Sequence, residues 1–137
     1  MTELITDFRN FFCEYQSIWN RCDTTRIWDV LSTDLHVRWA YPGNSVSDWG
    51  YKEACEGWDQ AFRLYAGRNP KWIFHEVSFT AISEIEVLAA FWVTFEIDNK
   101  PTQEANMFLE TFRKELAGWK LIRSYVESSI SKRFVTL

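Results

Sequence analysis

Glu110 stands in the middle of an alternating run, Asn106-Met107-Phe108-Leu109-Glu110-Thr111-Phe112-Arg113. It shares one side of that run with Asn106 and Phe108. Alternation of this kind marks a half-buried strand. A carboxyl set among apolar side chains loses hydration, so its pKa rises. In its protonated form it can donate a hydrogen bond to a substrate oxygen, which is the chemistry that stabilises a developing enolate or alkoxide. The other reading is structural: Glu110 satisfies a buried polar cluster with Asn106 or Tyr15. Other reactive side chains are sparse. Cys13, Cys22 and Cys55 are odd in number and do not form a CxxC pair, so they read as reduced, buried thiols on helices. His36 and His75 fall on different expected strands without ligand-like spacing, so no metal site is expected. No nucleotide or flavin motif is present either, and no cofactor is expected.

What must position Glu110 is a chain of 137 residues, a length that predicts one domain around one core. Aromatic residues make up 18% of it and include eight tryptophans. Such a share fits a core filled with large rings, and it also fits rings lining a ligand cavity. The net charge is −4 and the longest basic cluster is Lys132-Arg133, which excludes a nucleic-acid groove. Met1-Thr2-Glu3 lacks the start of a signal peptide, and no stretch approaches a membrane span. With reduced thiols, these features predict a cytoplasmic protein without a membrane partner.

The first half of the chain reads as helices. Thr2 can cap a helix whose apolar face is Ile5, Phe8, Phe12, Tyr15, Trp19 and Cys22, at steps of three and four. Asp23-Thr24-Thr25 breaks it and caps a short helix over Thr25–Leu31 that offers Ile27, Trp28 and Leu31 to the core. Ser32-Thr33-Asp34 ends that helix. Leu35–Tyr41 alternates as a strand with Leu35, Val37, Trp39 and Tyr41 inward. Pro42-Gly43-Asn44-Ser45 is turn chemistry. Ser47 or Asp48 can cap a third helix with Tyr51, Ala54, Cys55, Trp58, Phe62 and Tyr65 on one face, stopped by Asn69-Pro70. Four strands follow, roughly Lys71–Ala81, Glu86–Ile97, Gln103–Leu116 and Gly118–Ser131. Strands this long exceed the usual length and predict a strongly curved sheet.

Helix, helix, strand, helix, then four long antiparallel strands: this order resembles the nuclear transport factor 2-like superfamily, including SnoaL-like proteins and ketosteroid isomerase. Asn20-Arg21-Cys22-Asp23 resembles the break after that group's first helix. Phe112-Arg113 followed by Gly118-Trp119-Lys120-Leu121-Ile122 is similar to its last hairpin. Phe91-Trp92-Val93-Thr94-Phe95-Glu96 is similar to a ketosteroid isomerase strand that lines the steroid pocket. The resemblance implies an α+β fold, a cone-shaped curved antiparallel sheet wrapped around the helices (a cystatin-like α+β barrel). It places Tyr15 and Glu110 where ketosteroid isomerase has its oxyanion-hole tyrosine and acid. It puts Tyr41 at the position of the catalytic base. A tyrosine is a poor base at neutral pH, so steroid isomerisation is not expected.

On that fold the concave face carries Trp39, Tyr41, Phe91, Val93, Phe95, Asn106, Phe108 and Glu110, faced by Tyr15, Trp19, Trp58 and Phe62 from the helices. The expected ligand is a small hydrophobic or aromatic carbonyl compound. If the protein is an enzyme, Tyr15 and Glu110 serve as acid or oxyanion partners in cofactor-free isomerase, cyclase or hydratase-type chemistry. The alternative is a non-catalytic dimeric binding or assembly domain whose cup is plugged by Trp39, Trp58 and Phe95. SnoaL-like relatives often carry histidines at the positions of Arg123 and Tyr125, which makes Arg123 a candidate pocket cation. The parity of the last strand leaves it equally on the outer face. That face, with His36, Arg38, Trp92, Leu109, Tyr125 and Glu127, reads either as a homodimer interface or as a solvated surface of weak ion pairs.

Overall fold

The computed structural model describes residues 2–137 and shows three helices against a six-stranded sheet. Helix α1 spans Thr2–Asn20 and α2 Thr24–Val30. Strands β1 (Leu31–Ala40) and β2 (Val46–Trp49) precede helix α3 (Tyr51–Tyr65). Strands β3 (Lys71–Ala81), β4 (Glu86–Ile97), β5 (Lys100–Glu115) and β6 (Gly118–Ser131) complete the chain. The strand order is β2-β1-β6-β5-β4-β3. The fold is α+β as expected, with two differences in the sheet. It is open rather than closed into a barrel, and it is mixed, because β1 runs parallel to β6 while every other pairing is antiparallel.

Thr2 is itself helical rather than the cap of α1, and Met1 lies outside the described residues. The apolar spacing of α1 buries Phe8, Phe12, Tyr15, Ile18 and Trp19. Cys22 lies beyond the helix in a left-handed turn, φ 53°, and Cys13 is exposed, so only Cys55 is the buried thiol expected of all three. Asp23 caps α2 by accepting from the Arg26 N–H at 3.1 Å. That helix buries Ile27 and Val30, whereas Trp28 is exposed and donates its indole N–H to Asp59. Ser32-Thr33-Asp34 continues into β1 instead of forming a loop. Val46–Trp49, where Ser47 or Asp48 was expected to cap the third helix, is a short edge strand on β1. It displaces the expected cap, and α3 begins after Gly50 without a side-chain cap.

Bulges bend the long strands and set which side chains face the helices. Between the pairs Thr111↔Arg123 and Phe112↔Leu121, strand β6 carries the extra residue Ile122. Parity therefore flips along β6: Trp119 and Leu121 are buried first, then Ser124, Val126 and Ser128. A second bulge near Ser129, φ 59°, is held by Asn106, whose amide oxygen accepts the Ser129 N–H at 2.8 Å.

Side chains of α1 also close the open edge of β3. Asn20 pairs with both backbone groups of Trp72, at 2.6 and 3.0 Å, and Gln16 accepts the Phe74 N–H at 2.7 Å. At Trp72 and Phe74 the strand edge is therefore satisfied and offers no template for another chain. The core between α1 and the sheet is a run of touching rings. Phe8 packs on Phe79, Phe112 and Trp119 with centroids 5.0 to 5.2 Å apart.

Candidate functional site

The concave side of the sheet is not filled. A cavity of about 470 Å³ opens between α3 and strands β1, β5 and β6, within the range of small-molecule sites. Trp39, Trp58 and Phe95 line this space without plugging it. Its floor is polar. Glu110, 2% exposed, receives the Tyr15 hydroxyl on Oε1 at 3.1 Å and the Ser124 hydroxyl on Oε2 at 2.7 Å. Three elements supply this cluster. The face of α1 brings Tyr15, the alternation of β5 brings Glu110, and the Ile122 bulge in β6 turns Ser124 inward.

Burial outweighs the two hydroxyl donors and pushes the Glu110 carboxyl up to about 7. Both protonation states are therefore populated at neutral pH, the condition that suits a group to proton transfer. Burial, and then the neighbouring Glu110 charge, hold the Tyr15 hydroxyl well above its ordinary pKa. Tyr15 is a hydrogen-bond donor here and not a base. The indole Nε1 of Trp19 is also buried in the wall, with no hydrogen-bond partner among the described residues. A buried donor without an acceptor is uncommon in native structures.

Of the residues singled out in the sequence, Tyr15, Trp19, Trp39, Trp58, Val93, Phe95, Asn106, Phe108 and Glu110 line this one cavity. Four others do not. Phe62 and Phe91 are buried in the core behind it, and Tyr41 is exposed past the end of β1, outside the cavity. Arg123 is exposed on the opposite face of the sheet, paired across from His36 and Thr111. The bulge at Ile122 separates Arg123 from the cup, so it is not a pocket cation. Ser124, Trp49, Tyr65 and Trp72 line the cavity and were missed. Tyr65 belongs to the apolar face already read on α3, Trp72 lies on a strand for which no face was assigned, and Ser124 depends on the parity of the last strand, which the sequence left open.

Among the described residues no group of histidine, cysteine and carboxylate side chains is disposed to hold a metal ion. No helix of the described residues is long and apolar enough to cross a membrane.

No protein-family profile matches the sequence, and no curated protein does. Solved structures do. Aln2 from a Streptomyces species superposes with a TM-score of 0.76 at 14% identity, over 93% of this chain and 92% of that one. A Novosphingobium aromaticivorans protein described as a "Putative Scytalone Dehydratase" gives 0.73 at 11% identity, over 100% of this chain and 94% of its own. An NTF2-like protein with a cystatin-like fold from the same organism gives 0.67 at 15% identity, over 93% and 82%. The chain therefore has the cystatin-like fold of the nuclear transport factor 2-like proteins, which is the fold its sequence resembles.

Proposed function

We propose that the cup binds a small hydrophobic or aromatic compound bearing a carbonyl or hydroxyl oxygen. On this reading Glu110 and Tyr15 work as acid and oxyanion partners in cofactor-free isomerase, cyclase or hydratase-type chemistry. The observation that carries the proposal is the buried carboxyl at the floor of an open apolar cavity, held by two hydroxyls and raised to about 7. A ligand oxygen that reaches the floor meets the protonated carboxyl or the Tyr15 hydroxyl as donor. Apolar walls strengthen such a bond, because a bound ligand displaces the water that would compete for it. The solved structure described as a dehydratase shares the fold, and so lends the chemistry its precedent.

The test is deuterium exchange at the α-carbon of a panel of cyclic and aromatic ketones, in which solvent or buffer takes the α-proton while Tyr15 and protonated Glu110 hold the enolate oxygen, read by NMR together with ligand-induced chemical shifts. Binding with exchange that Glu110→Gln abolishes supports the enzyme. Binding without exchange in either form leaves a binding protein. If no ketone of the panel shifts the resonances of the cavity residues, the proposal fails.

The proposal also includes a homodimer formed through the outer sheet face. What supports it is the exposed apolar area there. Leu109 is 38% and Tyr125 36% exposed, beside a groove lined by His36, Arg38, Leu88 and Arg123. Three free cysteines favour a reducing, cytoplasmic setting.

A further inference from the structure

The cavity is lopsided in charge. Glu104 and Glu110 both line it, and no lysine, arginine or histidine does among the described residues. An anionic ligand would meet two carboxyl groups and no counter-charge. The rest of the wall is rich in aromatic rings, whose faces carry the negative pole of the ring quadrupole.

Those rings come in two groups, from opposite edges of the sheet. On the β1–β2 side, Trp39 and Trp49 stack at 5.6 Å with 27° between their planes. On the β3–β4 side, Trp72 and Phe95 stack at 4.8 Å and 27°. There Tyr65 stands edge-on to Phe95, at 4.9 Å and 66°. All five are only partly buried, so they form the outer wall of the cavity rather than its core. Between the two groups lies β5, where Glu104 alternates with Asn106, Phe108 and Glu110 on the concave face. The Glu104 carboxylate is in no ion pair among the described residues. Lys132 and Arg133, just past its strand partner Ser131, do not line the cavity.

We propose that the outer part of this cavity is an organic-cation site, in which the aromatic pairs Trp39–Trp49 and Trp72–Phe95 cage a tertiary or quaternary ammonium and Glu104 neutralises it. Cations over tryptophan and tyrosine faces are held by the ring quadrupole, and the attraction grows as the cation is desolvated. The ligand is thus a hydrophobic amine, its nitrogen at the mouth and its oxygen towards the floor. This inference rests on the cavity being a ligand site and is independent of catalysis.

The probes are meta-hydroxyphenyl-trimethylammonium and its neutral carbon isostere meta-tert-butylphenol, which match in shape and differ in charge. Binding is read by tryptophan fluorescence and by NMR titration. The cation should bind at least about tenfold more tightly than the isostere at low salt. Glu104→Gln should reduce that preference about fivefold and leave affinity for the phenol unchanged, and Trp39→Leu should weaken the cation more than the phenol. Equal or tighter binding of the phenol overturns the cation site but leaves the pocket reading intact. The cation site is likewise overturned, with the pocket reading intact, if neither probe binds while a ketone of the panel does. If neither probe nor any ketone binds, both readings fall.

Discussion

The Tyr15 hydroxyl donates to Oε1 of Glu110 at 3.1 Å, joining the first helix to the fifth strand across 95 residues of sequence, both side chains buried. Ser124 closes the other side of the same carboxyl at 2.7 Å. Two neutral donors are not enough to offset the loss of water around an ionised carboxylate. The group therefore keeps its proton into the neutral range, and its protonation becomes coupled to folding.

That coupling has a definite sign. The folded-state pKa is raised, from 4.5 to about 7, so the folded protein binds more protons than the unfolded chain between those values. The stabilisation is complete below 4.5 and is lost as pH rises through about 7. Asp7, Asp23 and Asp48 are shifted the other way, lowered first of all by hydrogen bonds from Lys114, Arg26 and Arg38 respectively. They act at lower pH and do not mask the window. Urea denaturation of the native protein should show a loss of roughly 3 kcal/mol across it. Burial also lowers the His75 pKa from its ordinary 6.5, which adds stability as pH rises through the same window. Glu110→Gln should therefore show a small rise there instead of a loss, and should be more stable than the parent at alkaline pH. A parent curve that follows that of the variant would mean that the carboxyl is already ionised.

Tyr15→Phe removes one of the two donors and leaves the ring packing on Phe112 and Trp19 in place. The ionised form of Glu110 then loses support, so its pKa rises further above about 7. The cost in stability should be about 1–3 kcal/mol, the penalty for a buried acceptor left short of a partner. Carbon-13 NMR of the Glu110 carboxyl, titrated in parent and variant, checks the direction. A pKa that falls on substitution would contradict the hydrogen bond as drawn.

The fold was legible because its signals are repetitive. The three-and-four spacing of Phe8, Phe12, Tyr15 and Trp19 marks α1, and the alternation around Glu110 marks β5 and the face its side chain takes. Misreadings fall where a single residue breaks a period. Ile122 is inserted with no glycine or proline to signal it, and every side chain after it changes face. That insertion decides the parity the sequence left open, with Arg123 outside and Ser124 inside. Val46–Trp49 is too short to alternate recognisably, and its pairing with β1 arises only in the folded sheet. Trp28 occupies an apolar position of α2, yet its indole N–H finds Asp59 at the surface, 3.1 Å away. Tertiary contact decided these cases, and none leaves a local pattern.

The outer face makes its own prediction. Leu109 is 38% exposed and lies on the groove beside Tyr125 and Arg123. A dimer through this face should appear in sedimentation velocity at micromolar concentration, and Leu109→Glu should convert it to monomer. The substitution sits at an exposed position, so the intrinsic stability of the monomer should change by only about 0.5 kcal/mol. A parent protein that is monomeric throughout that range would leave the face solvated, with its Arg38–Asp48 pair at 2.8 Å contributing little.

Trp19 separates binding from stability. Its Nε1–H is buried and meets no acceptor at full hydrogen-bond geometry, but it sits close enough to the Tyr15 hydroxyl to pull that group's pKa down, so replacing the indole by a phenyl ring removes only that weak internal contact. Trp19→Phe relieves an unmet donor but leaves a small void, and the two effects oppose each other. The net stability change should stay under about 2 kcal/mol. If the N–H serves a ligand oxygen, affinity for an oxygen-bearing ligand should fall about tenfold, while affinity for a hydrocarbon of the same shape stays unchanged. In the parent protein the indole proton resonance of Trp19 should move downfield when the oxygen-bearing ligand binds. A resonance that stays in place on binding would show that the ligand oxygen lies elsewhere, and would leave Trp19 as packing alone.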